Sequence, residues 1–233
     1  PIDNAAEARL VPHVEVRGVA SLAQLIEFLV AGVTLPKPAT AADAEPEDAG
    51  PDLSDVVGQE RGRFALEIAA AGRHHLALLG PPGAGKTLLA QRLPSILPPL
   101  SDQAALEVTA LHSIAGLLPA APRLIRRPPF QAPHHTATAA ALVGGGSNGV
   151  VRPGAISLAH HGVLFIDEAP EMKPHVLNSL RQPLEEGFVI IARAQGSTKF
   201  PARVQLVLAA NPCPCGVGDQ VACTCPPVVR RRY

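Results

Sequence analysis

The 233-residue chain has no apolar run long enough to cross a membrane. Its longest, such as "LLPAAP" and "VQLVLAA", fall far short of the roughly 18 residues that a span needs. The N-terminus also lacks the basic, apolar, small-residue series of a signal peptide. These absences predict a cytosolic protein with no membrane partner. Net charge is missing too: 20 Lys and Arg balance 20 Asp and Glu, so there is no overall electrostatic pull toward nucleic acid. The charges are nevertheless segregated. Thr34 to Glu60 holds seven acidic residues and one Lys, whereas Phe188 to Tyr233 holds six basic residues and one Asp. With 47% hydrophobic and 17% charged residues, the chain can bury the core of one sizeable domain plus a smaller piece.

What is present is first of all "GPPGAGKT", Gly80-Pro81-Pro82-Gly83-Ala84-Gly85-Lys86-Thr87, followed by Leu88. In such a phosphate-binding loop the backbone N–H groups cradle phosphates, the lysine reaches the β- and γ-oxygens and the threonine hydroxyl ligates Mg²⁺. An apolar strand, "HLALLG", precedes the loop, and "TLLAQRL" after it has helical spacing. The loop therefore opens a helix whose N-terminal dipole favours anions.

About 80 residues downstream stands "HHGVLFIDEAPEM". Val163 to Ile166 reads as a strand buried on both faces, with Asp167 and Glu168 at its carboxyl end, where ligands of parallel α/β sheets sit. Asp167 is predicted to hold Mg²⁺ through water, and Glu168 to orient or deprotonate the attacking water. A third apolar strand, "RVQLVLAANP", ends at Asn211, whose amide reaches the γ-phosphate or the lytic water if this strand lies beside the other two. Otherwise Asn211 merely starts a turn before Pro212.

All four cysteines, Cys213, Cys215, Cys223 and Cys225, fall within thirteen residues. That concentration points to structural zinc, with reduced thiols in a loop or disulfides as the alternatives. The nine histidines include the pairs His74-His75, His134-His135 and His160-His161, which lack i, i+4 ligand spacing and read as structural or polar-contact residues. Between the two halves of the site, Pro128 to Gly149 carries a glycine run suited to a flexible, protruding loop. "GFVIIARAQGSTKFPARV" reads as a β-hairpin turning at Gln195-Gly196-Ser197.

Residues 1–33 contain "VEVRGVASLAQLIEFLVAG", read as a short strand and an amphipathic helix ending at Gly32, too small to bury an apolar face alone. Residues 34–51 form an acidic Pro/Ala linker, and 52–233 a second domain. "DVVGQE", "GPPGAGKT", "VLFIDE" and "LVLAAN" together resemble the AAA+ ATPases. "RPPFQAPHHTATAAALVGGG", "RPGAISLAHHGVLFIDEAPE", "LRQPLEEG" and "FPARVQLVLAANPCPCG" are more specific and resemble the magnesium-chelatase-like AAA+ family of ComM/YifB type.

The resemblance implies an α/β P-loop NTPase fold of AAA+ type, a parallel sheet flanked by helices with β-hairpin insertions. Residues 1–33 are similar to the end of that family's Lon-protease-like N-terminal domain. The activity implied is that of a hexameric, ATP-driven motor acting on DNA, associated with branch migration during recombination. Its insertions point into the ring pore, which would bring Arg193 and Lys199 to DNA phosphates. The alternative is a magnesium-chelatase motor subunit that remodels a protein partner during metal insertion into a porphyrin. A regulatory module that binds nucleotide without turnover fits poorly with an intact Asp167-Glu168 pair. The sequence is expected to be a fragment, because the family's arginine finger, lid and second sensor have no counterpart before Tyr233, and weak activity in isolation follows.

Overall fold

The computed structural model describes residues 1–35, 50–119, 122–147, 150–193, 196–217 and 223–233. Most of the sequence-assigned linker and residue Gln195 of the assigned turn lie outside them. The chain divides into two compact units, Pro1–Asp48 with Ser101–Arg126, and Ala49–Leu100 with Arg127–Tyr233. The interval 52–233 therefore contributes residues 101–126 to the first unit.

In the first unit, the helix Leu22–Ala31 starts at Ser21, whose side chain accepts a hydrogen bond from the Gln24 N–H, and stops at left-handed Gly32. It buries none of its residues, as expected of a face too small to close on itself. The strand predicted just before it does not form: Val14 to Val19 has no ladder, and its backbone tie is Ile2 N–H to Val19 C=O. A strand without a partner leaves its polar groups to water and has little to hold it extended. The helix Asp102–Ile114 belongs to the same unit. It is capped by Ser101 and joined to the segment after it by an Arg126–Asp102 ion pair of 2.8 Å and by Ile125 N–H donating to Thr109 Oγ1.

The second unit is built on four parallel strands. Among the described residues these are β1 (Leu76–Leu79), β2 (Phe130–Gln131), β5 (Val163–Ile166) and β8 (Gln205–Ala210), in the spatial order β1-β8-β5-β2. All four residues of β5 are buried, as its unbroken apolar run predicts. Its Phe165 packs with Leu66, Leu89, Leu93 and Val207 in one cluster that joins the sheet to the helices Glu60–Gly72 and Lys86–Ile96. Buried Gln205 at the start of β8 donates from Nε2 to the carbonyls of Ala69 and His74, while its Oε1 is buried without a partner among the described residues.

Among the described residues the unit also holds two antiparallel hairpins, each a separate two-stranded sheet. The pair β6 (Phe188–Arg193) and β7 (Gly196–Pro201) forms a hairpin as expected, but Gly196 and Ser197, assigned to its turn from the sequence, are strand residues paired with Arg193 and Ala192. The glycine run, by contrast, is not a loop: β3 (Gly144–Ser147) pairs with β4 (Val150–Pro153). Glycines carry no alternation of apolar and polar side chains, so this strand leaves no periodic trace in the sequence.

Candidate nucleotide site

The strand order places three loop ends side by side. β8 lies between β1 and β5, so the phosphate loop after β1, Asn211 after β8 and Asp167-Glu168 after β5 converge at the carboxyl edge of the sheet. Of the predicted nucleotide residues, all but Gly80 and Pro81, whose carbonyls instead accept from Lys86, line one cavity there. A cavity of about 390 Å³ is lined by the loop from Pro82 to Leu88 together with Asp167, Glu168, Ala210 and Asn211.

The loop is shaped by Gly83 and Gly85, at φ +76° and +80°, where a side chain would strain the backbone. Gly85 caps the helix Lys86–Ile96, and Leu89 N–H is the one that closes on Gly85 C=O. The N–H groups of Lys86, Thr87 and Leu88 therefore have no acceptor within the helix and sit at its positive end. Lys86 Nζ donates to the Gly80 and Pro81 carbonyls, at 2.7 and 3.0 Å, and to Asn211 Oδ1 at 3.0 Å. Thr87 Oγ1 donates to Asp167 Oδ2 at 2.6 Å, so the two oxygens suited to one magnesium ion are already adjacent. Asp167 Oδ1 accepts the Glu168 N–H, and Glu168 itself takes a left-handed backbone at φ +50°.

Two further residues enter the site without having been assigned to it from sequence. Gln59, the left-handed residue before the helix Glu60–Gly72, donates from Nε2 to the Ala84 carbonyl at 2.6 Å and so ties the loop to that helix start. His135 Nδ1 lies 2.8 Å from Glu168 Oε2. Gln59 stands in the "VGQE" motif and His135 in a histidine pair. Neither position carries a local signal of its contact, which is made across 25 residues in one case and 33 in the other.

The cysteines form a second centre directly after Asn211. The four Sγ atoms lie within 4.8 Å of one another, with separations of 3.2 Å between Cys213 and Cys215, 3.6 Å between Cys215 and Cys223, and 3.6 Å between Cys223 and Cys213. The Val217 backbone N–H and the Cys213 thiol lower the Cys215 thiol to about 6, while burial pushes Cys225 up to about 11.

Arg193 and Lys199 are both exposed, but on opposite faces of the β6–β7 hairpin. Lys199 pairs with Ile190 on the open face and stacks its ammonium 3.6 Å from the centre of the Phe188 ring. Arg193 follows Val189 and Ile191 on the packed face and donates from Nη2 to the Gly146 carbonyl at 2.9 Å, linking the two hairpins.

Several known proteins are similar to this chain in sequence. An uncharacterized protein of Mycobacterium tuberculosis is 57% identical over 233 residues, covering 100% of this chain and 46% of that protein. YifB of Salmonella typhimurium is 44% identical over 224 residues, 95% of this chain and 44% of the relative. The competence protein ComM of Haemophilus influenzae is 45% identical over 220 residues, 91% and 42% respectively. The chain thus spans less than half the length of these relatives. The family described as "Magnesium chelatase, subunit ChlI" matches residues 52–233, which include every residue lining the cavity. A phosphate loop, an Asp-Glu strand and an asparagine strand joined in this order mark a chain that belongs to the magnesium-chelatase-like AAA+ family, with YifB and ComM among its relatives.

Proposed function

We propose that this chain is the ATP-binding and ATP-hydrolysing part of a cytoplasmic, hexameric motor that acts on DNA, with helicase or branch-migration activity in recombination or natural transformation. The observation that supports it most is the convergence of Lys86, Thr87, Asp167, Glu168 and Asn211 on one cavity. The free N–H groups of the helix start, together with the Lys86 ammonium, suit the β- and γ-phosphates of ATP. Thr87 and Asp167 would hold Mg²⁺, which supplies charge neutralisation at the phosphates. Glu168 accepts a proton from water or aligns it, and Asn211, tied to Lys86 through Oδ1, keeps its amide nitrogen for the γ-phosphate or that water. Zinc at the four cysteines completes the set of cofactors in this reading.

The DNA part of the reading draws on the β6–β7 hairpin, with Arg193 and Lys199 exposed on it, and on the likeness to a competence protein. The test is ATP turnover of the full-length protein with and without single-stranded DNA, alongside branch migration on synthetic three-way and four-way junctions. Stimulation by DNA and junction movement support the motor. The family description favours a second reading, a magnesium-chelatase-type subunit that remodels a protein partner for metal insertion into a porphyrin. Turnover indifferent to DNA and raised only by protein partners would select it.

A further inference from the structure

The cysteine cluster does not stand apart from the phosphate loop. Cys213 is buried and lies two residues after Asn211, so the cluster and the asparagine share one short segment. The turn that returns from Cys213 closes with Gly216 N–H donating to the Cys213 carbonyl at 2.8 Å. Gly216 then meets the loop itself: at φ +75°, a Cβ built on it would come within 2.6 Å of Pro82 Cδ and 2.7 Å of Pro82 Cγ. The backbone of the cysteine turn thus lies against a proline of the phosphate cradle, while Asn211 is bonded to its lysine.

The sulfur geometry suits a metal. Four thiolates at about 2.3 Å from a tetrahedral zinc ion stand about 3.7 Å apart, and the separations here are 3.2 to 3.6 Å where they are closest. The ion would be accommodated by shifts of tenths of an ångström among Cys213, Cys215 and Cys223 and of up to about 1 Å at Cys225, whose Sγ lies within 4.8 Å of the others. We propose that Cys213, Cys215, Cys223 and Cys225 bind one zinc ion, and that the zinc-closed turn braces the phosphate loop through Gly216 on Pro82, so that zinc occupancy sets the affinity for nucleotide. Binding deprotonates the thiols, and the protons leave to solvent; no electron changes hands. Without the ion, Cys223 and Cys225 are held to the turn by weak thiol contacts and by a hydrogen bond from the Cys215 backbone N–H to the Cys225 thiol. The turn can then move off Pro82, and the loop loses one wall. This inference rests on the reading of residues 80–87 as a nucleotide site.

The experiment uses full-length protein. Metal analysis, with sulfur coordination read by X-ray absorption, is expected to find about one zinc per chain with four sulfur ligands. Nucleotide affinity is then measured with a fluorescent ATP analogue on zinc-loaded, chelator-stripped and zinc-restored protein. Stripping is expected to weaken binding about tenfold, and restoration to recover it. Because coupling is reciprocal, the same ATP analogue at saturation must raise zinc affinity by the same factor in a chelator competition. Gly216→Ala supplies an independent arm: it pushes against Pro82 while leaving all four thiols, so zinc stays bound and nucleotide affinity falls. Protein that neither contains nor takes up zinc overturns the metal site. Zinc bound with equal nucleotide affinity in all three forms overturns the coupling and leaves the ion purely structural. Absence of nucleotide binding in every form, zinc-loaded included, overturns the reading of the loop and the coupling with it.

Discussion

His135 Nδ1 sits 2.8 Å from Glu168 Oε2, so the carboxylate assigned to the attacking water is already engaged by a side chain from another segment. His135→Ala frees that oxygen without touching the loop. A single hydrogen bond contributes on the order of 1 kcal/mol. Basal ATP turnover is therefore expected to rise by roughly 2- to 10-fold, with nucleotide affinity unchanged. Steady-state kinetics beside a binding titration checks this. A fall in turnover would make His135 a positioning group for Glu168 instead.

Lys86→Ala removes the ammonium that is bonded to the Gly80 and Pro81 carbonyls and to Asn211. It takes charge directly from the β- and γ-phosphates. ATP affinity should drop by more than about tenfold, or 1.4 kcal/mol. Calorimetric titration measures it, and an unchanged dissociation constant would refute the role.

Glu168→Gln keeps the shape of the side chain and leaves the Thr87–Asp167 pair intact. Binding should persist while turnover falls by roughly 10² or more. Simultaneous loss of binding and turnover would reassign Glu168 to a structural or metal-holding role.

Lys199 and Arg193 point to opposite faces of their hairpin, so they cannot grip one phosphate together. Lys199→Ala should lower DNA affinity without sequence preference and flatten the salt dependence by about 0.7 to 0.9 in log–log slope for each phosphate no longer neutralised. Arg193→Ala should do the same and also release the hairpin from the Gly146 carbonyl. Basal ATPase without DNA should hold in both variants, since neither residue lines the nucleotide cavity. Wild-type affinity and salt slope in the double variant would remove the hairpin from DNA contact and favour the chelatase-like reading.

Much of the site was legible because its signals are local. The phosphate loop is set by adjacent glycines, a lysine and a threonine, and β5 by four consecutive apolar residues that end at Asp167. Asn211 is ambiguous in isolation and reaches the loop because β8 lies between β1 and β5. The rest depends on distant pairings. Gln59 and His135 acquire their partners only through the folded chain. The β3–β4 hairpin is written in glycines that have no side-chain pattern, and the strand expected near Val14 lacks a neighbour to pair with. Which face of β6–β7 each cation occupies follows from register, which a one-residue shift would invert.

The insertion of β8 between β1 and β5 also fixes the order in which the chain can become competent. Lys86 meets Asn211 across 125 residues, and Thr87 meets Asp167 across 80. Such long loops must close before any of these bonds contributes, which makes the sheet slow to form. A chain emerging during synthesis has no complete nucleotide cavity until β8, which carries Asn211 at its end, has paired with both β1 and β5. Nucleotide therefore has nothing to hold in the partly made protein, and acts on folding only by mass action once the centre of the sheet is filled.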